Sequence, residues 1–217
     1  MPALFICHGS PMNTLELNGY TRAWRALGEL LPRPRAILAI SAHWYVGATA
    51  VTAMATPRTI HDFFGFPPAL FDFNYPAAGA PDVAHEVAEA VKPEWVGLDQ
   101  EEWGLDHGTW SVLRHVYPDG DIPVIQLSID EGKPASFHFE VGKKLASLRE
   151  EGVLIVGSGN LVHNLHTYAW GGHMPEPYDW ALRFERDARE IMLSGDYKSL
   201  IAYETLGRDA ALSIPTP

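Results

Sequence analysis

The sequence predicts an α/β fold, a single domain over 1–217 with a central mixed, largely parallel sheet flanked by helices. Three observations carry that expectation. Short apolar runs alternate with stretches of helical period along the chain. The run at 153–156 is β-branched and leucine-rich with no charge, as in a strand covered on both faces. Three runs, at 4–7, 36–40 and 153–156, each lead into a histidine: His8, His43 and His163. In open α/β sheets ligands bind outside the C-terminal ends of the strands, so the site is expected where these three strand ends meet.

Taken in order, residues 1–10 read as a strand and a turn. Over 17–31, Leu17, Tyr20, Trp24, Leu27 and Leu31 fall near helical spacing, and Pro32 and Pro34 stop that helix. With the strand at 36–40 this makes a βαβ unit, implying a parallel pair and a right-handed crossover. The stretch 49–55 reads as an edge strand. It follows its predecessor too closely for a helical crossover, which makes the sheet mixed. Residues 56–80 hold five Phe and one Tyr among Pro and Gly, without a period. A loop of that length is functional or disordered, and its aromatic content argues against disorder. It is read as an aromatic-lined loop over the cleft. A helix at 81–91 begins with Pro, and a short strand follows at 95–98. The stretch 104–117 opens GLDHGTW and continues as a helix, with Asp106 or Thr109 as its cap. A strand at 122–129 precedes a helix at 134–149 with Phe137, Val141, Leu145 and Leu148 on one face. After the strand at 153–156, Gly157 and Gly159 are expected to turn the chain. Two helices, 177–193 and 197–203, and a short tail, 210–217, complete it.

The totals narrow the function. A length of 217 residues buries one sizeable core. A net charge of −11 disfavours nucleic acid and anionic membranes as partners, since both need a basic surface. No run approaches the roughly 18 apolar residues of a membrane span. The opening MPALFIC has no basic region before an apolar core, so no secretory signal is expected. A lone cysteine, Cys7, allows no intramolecular disulfide and fits a reducing cytoplasm.

Imidazole suits iron, zinc and copper. Each histidine alone would be an ordinary cap or a hydrogen-bonded surface group, but three at equivalent strand ends point to one divalent ion held by His8, His43 and His163. His107 opens a helix, where a neutral imidazole is favoured and can serve as a general base. His61 lies in the aromatic loop within reach of a substrate, and His166 follows His163 by about one turn as a supporting group. His85, His115 and His138 fall in helices and are expected to face solvent, and His173 is a loop residue. Cys7 neighbours His8, but adjacent strand residues point to opposite faces. Cys7 is therefore expected in the core. Val162 stands where a dinucleotide fingerprint needs its third glycine, and Gly157-Ser158-Gly159 is not a nucleophile elbow.

Together HGSP at His8, SAHW at His43, HDFFGFPP at His61, YPAAGAP at Tyr75, GLDHGTW at Gly104 and GSGNLVHNL at Gly157 resemble, in order and over nearly the whole chain, the DODA-type extradiol aromatic ring-opening dioxygenases of class III. The resemblance implies a mononuclear non-haem Fe(II) for turnover, with Zn(II) able to take the same site. It implies His8 and His43 as metal ligands. His107 and His163 would be the acid and base, with His163 also within reach of the metal. The substrate would be a small DOPA-like catechol and the co-substrate O2, both of whose atoms enter next to the hydroxyls to give a muconic semialdehyde. His61, Phe64, Phe66 and Tyr75, with Phe63 and Phe71, would then wall a dry pocket for a flat ring. The family pattern continues past a Thr-Pro element to a further ligand, whereas this chain stops at Thr216-Pro217, so a truncated C-terminus is expected. Two other readings compete: a zinc-dependent hydrolase using a metal-bound water, and a non-catalytic metal-binding protein on the same fold.

Overall fold

A computed structural model of the chain describes residues 1–169 and 176–216. His173 and Pro217 lie outside them. The described chain forms two compact units, Met1–Gly159 and Asn160–Pro217.

The first unit is built on a six-stranded sheet. Its strands are β1 (Ala3–Cys7), β2 (Ala36–Val46), β3 (Ala50–Thr52), β4 (Gly97–Asp99), β5 (Val124–Asp130) and β6 (Val153–Gly159), in the spatial order β1-β6-β2-β5-β3-β4. β1, β6, β2 and β5 run parallel, β3 is antiparallel to β5, and β4 is parallel to β3. The expected mixed α/β sheet is therefore present. Its order differs from the simplest βαβ reading, because β6 sits between β1 and β2. The edge assignment is corrected too: β3 lies inside the sheet, and β4 and β1 are its edge strands.

The helices of this unit are α1 (Gly19–Leu30), α2 (Pro68–Phe71), α3 (Pro81–Ala90), α4 (His107–Val116), α5 (Ala135–Leu145) and α6 (Ser147–Glu150). Asn18 caps α1 by accepting from the N–H groups of Tyr20 and Thr21, and Thr21 returns a bond to the Asn18 N–H. The helix expected over 134–149 is split at Ala146 into α5 and α6. Alternation along the strands sorts the core into two layers. Ile6, Ile37, Val124, Leu154 and Val156 pack with Trp110 and Leu113 of α4 on one face. Ala36, Leu38, Ile125, Leu127 and Val153 pack with Val83, Val87, Val141 and Leu145 of α3 and α5 on the other. Fully burying one such aliphatic side chain contributes about 1.5–3 kcal/mol, so each layer is a substantial core.

Two strands run further than expected. β2 continues through Ser41-Ala42-His43-Trp44, with an irregularity in its pairing to β5 between Ile40 and Tyr45. β6 continues through Gly157-Ser158-Gly159 as extended backbone, so those glycines do not make the turn. They stay in the ladder, opposite Phe5 and Cys7 of β1. Cys7 is exposed rather than in the core. The alternation of β1 buries Ile6 and His8 and leaves Phe5 and Cys7 outward on a strand at the sheet edge.

The second unit holds α7 (Asp179–Ser194), α8 (Tyr197–Ile201) and α9 (Arg208–Ser213). Phe184 and Ala188 of α7 pack with Ala210 of α9, Leu161 and Val162. The stretch read as tail is thus helical as far as Ser213. None of the described helices is long and apolar enough to cross a membrane.

Candidate metal centre and active site

Three elements of the first unit bring histidines together. His8 follows β1, His43 lies in the extended end of β2, and His107 is the first residue of α4. Among the described residues these three form a metal-binding type of cluster, with one ring nitrogen or its equivalent from each lying within 4.8 Å of the others. Ring centroids are 5.0 Å apart for His8 and His43, 5.5 Å for His8 and His107, and 3.9 Å for His43 and His107. His8 and His107 are buried and His43 is partly so.

The partners of these rings fix their tautomers. Ser158 of β6 donates its single hydroxyl hydrogen to the Gly108 carbonyl. Its oxygen, 2.9 Å from His8 Nδ1, must then accept from that nitrogen. Asp62 serves the other two rings. Its Oδ1 accepts from His107 Nδ1–H at 2.9 Å and from the His107 backbone N–H at 3.0 Å, and its Oδ2 lies 3.2 Å from His43 Nδ1. A carboxylate only accepts, so both Nδ1 atoms carry hydrogen. In each ring Nδ1 faces a hydroxyl or a carboxylate, as the far nitrogen of a metal-binding histidine usually does. His8 Nε2 and His43 Nε2 lie 3.2 Å apart. The donor set thus fits a metal such as Fe(II) or Zn(II).

Burial pushes the Asp62 carboxyl up, but the hydrogen bond and charge of His107, its backbone N–H and the charge of His43 outweigh that. The net effect holds Asp62 below its ordinary value. Beneath it, Asp106 is fully buried and caps α4, accepting from Thr109 N–H at 3.3 Å. Gln126 Nε2 also donates to it, as does Trp103 Nε1 at 3.4 Å. Burial and then the Asp62 charge raise the Asp106 carboxyl to about 6, against the pull of Ser41, Gln126 and His107. The folded state then holds this proton more tightly than the unfolded chain, where the group titrates near 3.8. The stability it contributes falls as pH rises from 3.8 to about 6. Across that range, the unfolding free energy of wild type minus that of Asp106→Asn should drop by up to about 1.4 kcal/mol per pH unit. Urea unfolding of both proteins at pH 4.5 and 6 checks it, and a flat difference counts against this account.

Of the expected wall residues, the structure sets Phe63 against His107, centroids 5.5 Å apart, with Phe66 at 5.3 Å and Phe71 at 5.1 Å from Phe63. His61 packs on Phe63 and Trp110 and donates from Nε2 to the Phe73 carbonyl at 2.9 Å. Phe64 is 93% exposed. Tyr75 is buried in the core and donates its hydroxyl to the Tyr117 carbonyl at 2.8 Å. Neither has the placement a wall residue needs, because Phe64 has turned to solvent and Tyr75 has spent its polar end inside the fold. His115, expected in solvent, is buried against Trp24. His163 belongs to the second unit, where its backbone N–H donates to the Ser213 carbonyl at 2.8 Å.

Asp62 and Ser158 were not singled out from the sequence, although each sits inside a motif noted for a neighbour. HDFFGFPP drew attention to His61, and GSGNLVHNL to its glycines and His163.

The comparisons agree with this geometry. A family model described as the catalytic LigB subunit of aromatic ring-opening dioxygenase matches residues 3–208. The chain is 59% identical over 184 residues to a 4,5-DOPA dioxygenase extradiol of Escherichia coli K12, covering 85% of this chain and 68% of that protein. It is 35% identical to a protein of the same description from Beta vulgaris, covering 98% of this chain and 81% of that one. A crystal structure of an uncharacterized protein from Escherichia coli K12 superposes with a TM-score of 0.83 at 47% identity, covering all of this chain and 84% of that one. A match over almost the whole chain, with the histidines of three separate elements gathered at one point, places this protein in the LigB family of extradiol aromatic ring-opening dioxygenases.

Proposed function

We propose that the chain cleaves a DOPA-like catechol with O2, using Fe(II) for turnover at the histidine cluster, and that Zn(II) can occupy the same place. The observation that supports the site assignment is the gathering of His8, His43 and His107 with ligand atoms within 4.8 Å of one another, Nδ1 of each facing Ser158 or Asp62. His8 and His43 are the ligands in this reading. When bound, Fe(II) supplies Lewis acidity that eases deprotonation of the catechol and the electron chemistry that O2 requires. His107 takes a catechol proton at Nε2, and Asp62, fixed on its Nδ1–H, stabilises the imidazolium that forms. His163 is the partner acid that returns a proton during ring opening, with ligation as its second role. That assignment rests on the GSGNLVHNL match. Phe63, Phe66 and His61 hold the flat ring and exclude water. The reaction balances with both oxygen atoms retained: the bond between a hydroxyl-bearing carbon and its non-hydroxylated neighbour breaks, giving a semialdehyde and a carboxylate. The single cysteine, Cys7, an exposed free thiol, supports a cytoplasmic setting.

The test is oxygen uptake by anaerobically Fe(II)-loaded protein with DOPA, caffeate and other catechols. The expected result is stoichiometric uptake with a yellow semialdehyde product, and a loss of about 10²–10⁴ in kcat for His163→Ala. Oxygen-independent ester or amide hydrolysis with Zn(II) would instead make the protein a hydrolase, and wild-type turnover by His163→Ala would remove that residue from the mechanism.

A further inference from the structure

Beyond its first residue, α4 carries a second histidine, His115, that the reaction does not use. It is 2% exposed. Its Nε2–H donates to the backbone carbonyl of Asn13 at 2.7 Å, and its Nδ1 has no partner among the described residues. The ring is therefore an Nε2–H tautomer with one directed bond. Burial, aided by the charges of Arg25 and Arg114, lowers its pKa against the pull of the Asn13 bond, which keeps it neutral.

Asn13 lies in the 3₁₀ turn Pro11–Thr14 that follows His8. Its side-chain Nδ2–H donates to the His8 carbonyl at 3.0 Å. Asn18 Nδ2–H donates to its Oδ1 at 2.8 Å, which sets the amide so that Nδ2 faces His8. Between them Gly9 has φ +65°, and a Cβ there would stand 3.0 Å from Asn13 Nδ2. The chain leaving His8 is thus folded tightly back on the residue that His115 grips. His115 stands eight positions after His107 on the helix, a rise of roughly 12 Å. One rigid helix therefore presents His107 to the cluster at one end and fixes the turn behind His8 from the other.

We infer that His115 and Asn13 are positioning residues for His8, setting its backbone so that Nε2 keeps its place beside His43 and His107. The inference rests on the reading of His8 as a metal ligand, and it departs from a purely space-filling role because it needs the Nε2–H donor. Gln places its amide nitrogen near the position of imidazole Nε2, whereas Leu fills the space without a donor.

The experiment titrates metal-free protein with Zn(II) alone and, separately, records histidine-ring nitrogen NMR signals without metal. His115→Leu and Asn13→Ala should each weaken Zn(II) binding by about tenfold or more. The His8 ring signal should shift or broaden in both, and His115→Gln should restore wild-type behaviour. Unchanged Zn(II) affinity and an unchanged His8 signal in the folded variants overturn the inference, as does equal behaviour of His115→Leu and His115→Gln. Asn13→Ala removes no core side chain and tests the amide bond to the His8 carbonyl, and His115→Met, which fills the space without a donor, decides the His115 part if His115→Leu does not fold. If wild type neither binds Zn(II) nor opens a catechol, the metal reading has failed, and the ring signals alone still report whether His8 is positioned from His115.

Discussion

Asp62→Ala should cost this protein at least a hundredfold in kcat/KM for catechol cleavage and weaken metal binding by about 10–100-fold. One carboxylate sets two rings: Oδ1 holds the backbone and Nδ1 of His107, and Oδ2 faces Nδ1 of His43. Its removal frees both imidazoles to rotate and to take the other tautomer. It also leaves the imidazolium of His107 without its counter-charge, which raises the barrier for any step in which that ring takes a proton. Asp62→Asn is the informative companion. An amide oxygen can still accept one bond, but its NH2 meets an Nδ1 that must then accept, so one ring is forced to the wrong tautomer. Steady-state cleavage and a metal titration on the three proteins separate the effects. Unimpaired metal affinity with a large loss in kcat would assign Asp62 to His107 alone. Wild-type values for both would remove it from the site.

Gly108→Ala should have an effect nearly as large on activity, through shape rather than charge. A Cβ at this position overlaps Ser41 Oγ and lies 3.0 Å from the His43 ring and 3.3 Å from Asp106 Oδ1. Ser41 and His43 belong to a central strand and cannot withdraw far. Overpacking of this kind costs about 1–3 kcal/mol in stability. Displacing a catalytic group by about 1 Å can cost on the order of 10² in rate. The Gly108 carbonyl also accepts the Ser158 hydroxyl that meets His8, so a shift of this backbone reaches His8 as well. Thermal unfolding and cleavage kinetics of Gly108→Ala check this, with Gly142→Ala as a control, since a Cβ there meets nothing within 4 Å. Equal effects of the two substitutions would refute the crowding argument.

What the sequence displayed and what it hid divide along physical lines. The alternation of apolar runs with helical periods exposed the α/β class, because each period reflects only local backbone geometry. The spatial order of the strands did not show, because inserting β6 between β1 and β2 is a non-local choice. His8, His43 and His107 were visible as individuals, from strand ends and a capped helix. Their conjunction in one cluster depended on β2 running on past Ile40, which a five-residue apolar run did not reveal. Asp62 stayed hidden because an aspartate in a Phe-rich loop has no period and no motif of its own, and its role exists only through two residues 19 and 45 positions away. Tyr75 and His115 misled for the opposite reason. A polar tip on a loop or helix suggests solvent or substrate, but each found a backbone carbonyl inside the fold.

The placement of β6 has a consequence for how the protein is made. During synthesis β1 and the turn behind His8 emerge well before β6, the neighbour of β1, whose residues lie about 150 positions later. Ser158, the partner that fixes the His8 tautomer, arrives on that same strand. Until it does, the nascent chain holds an unoriented histidine and an unpaired strand edge. Long-range closure of this kind is slow and exposed to misassociation. The His8 ring is therefore oriented only once β6 has docked beside β1, so the cluster is completed by the same long-range pairing that closes the sheet.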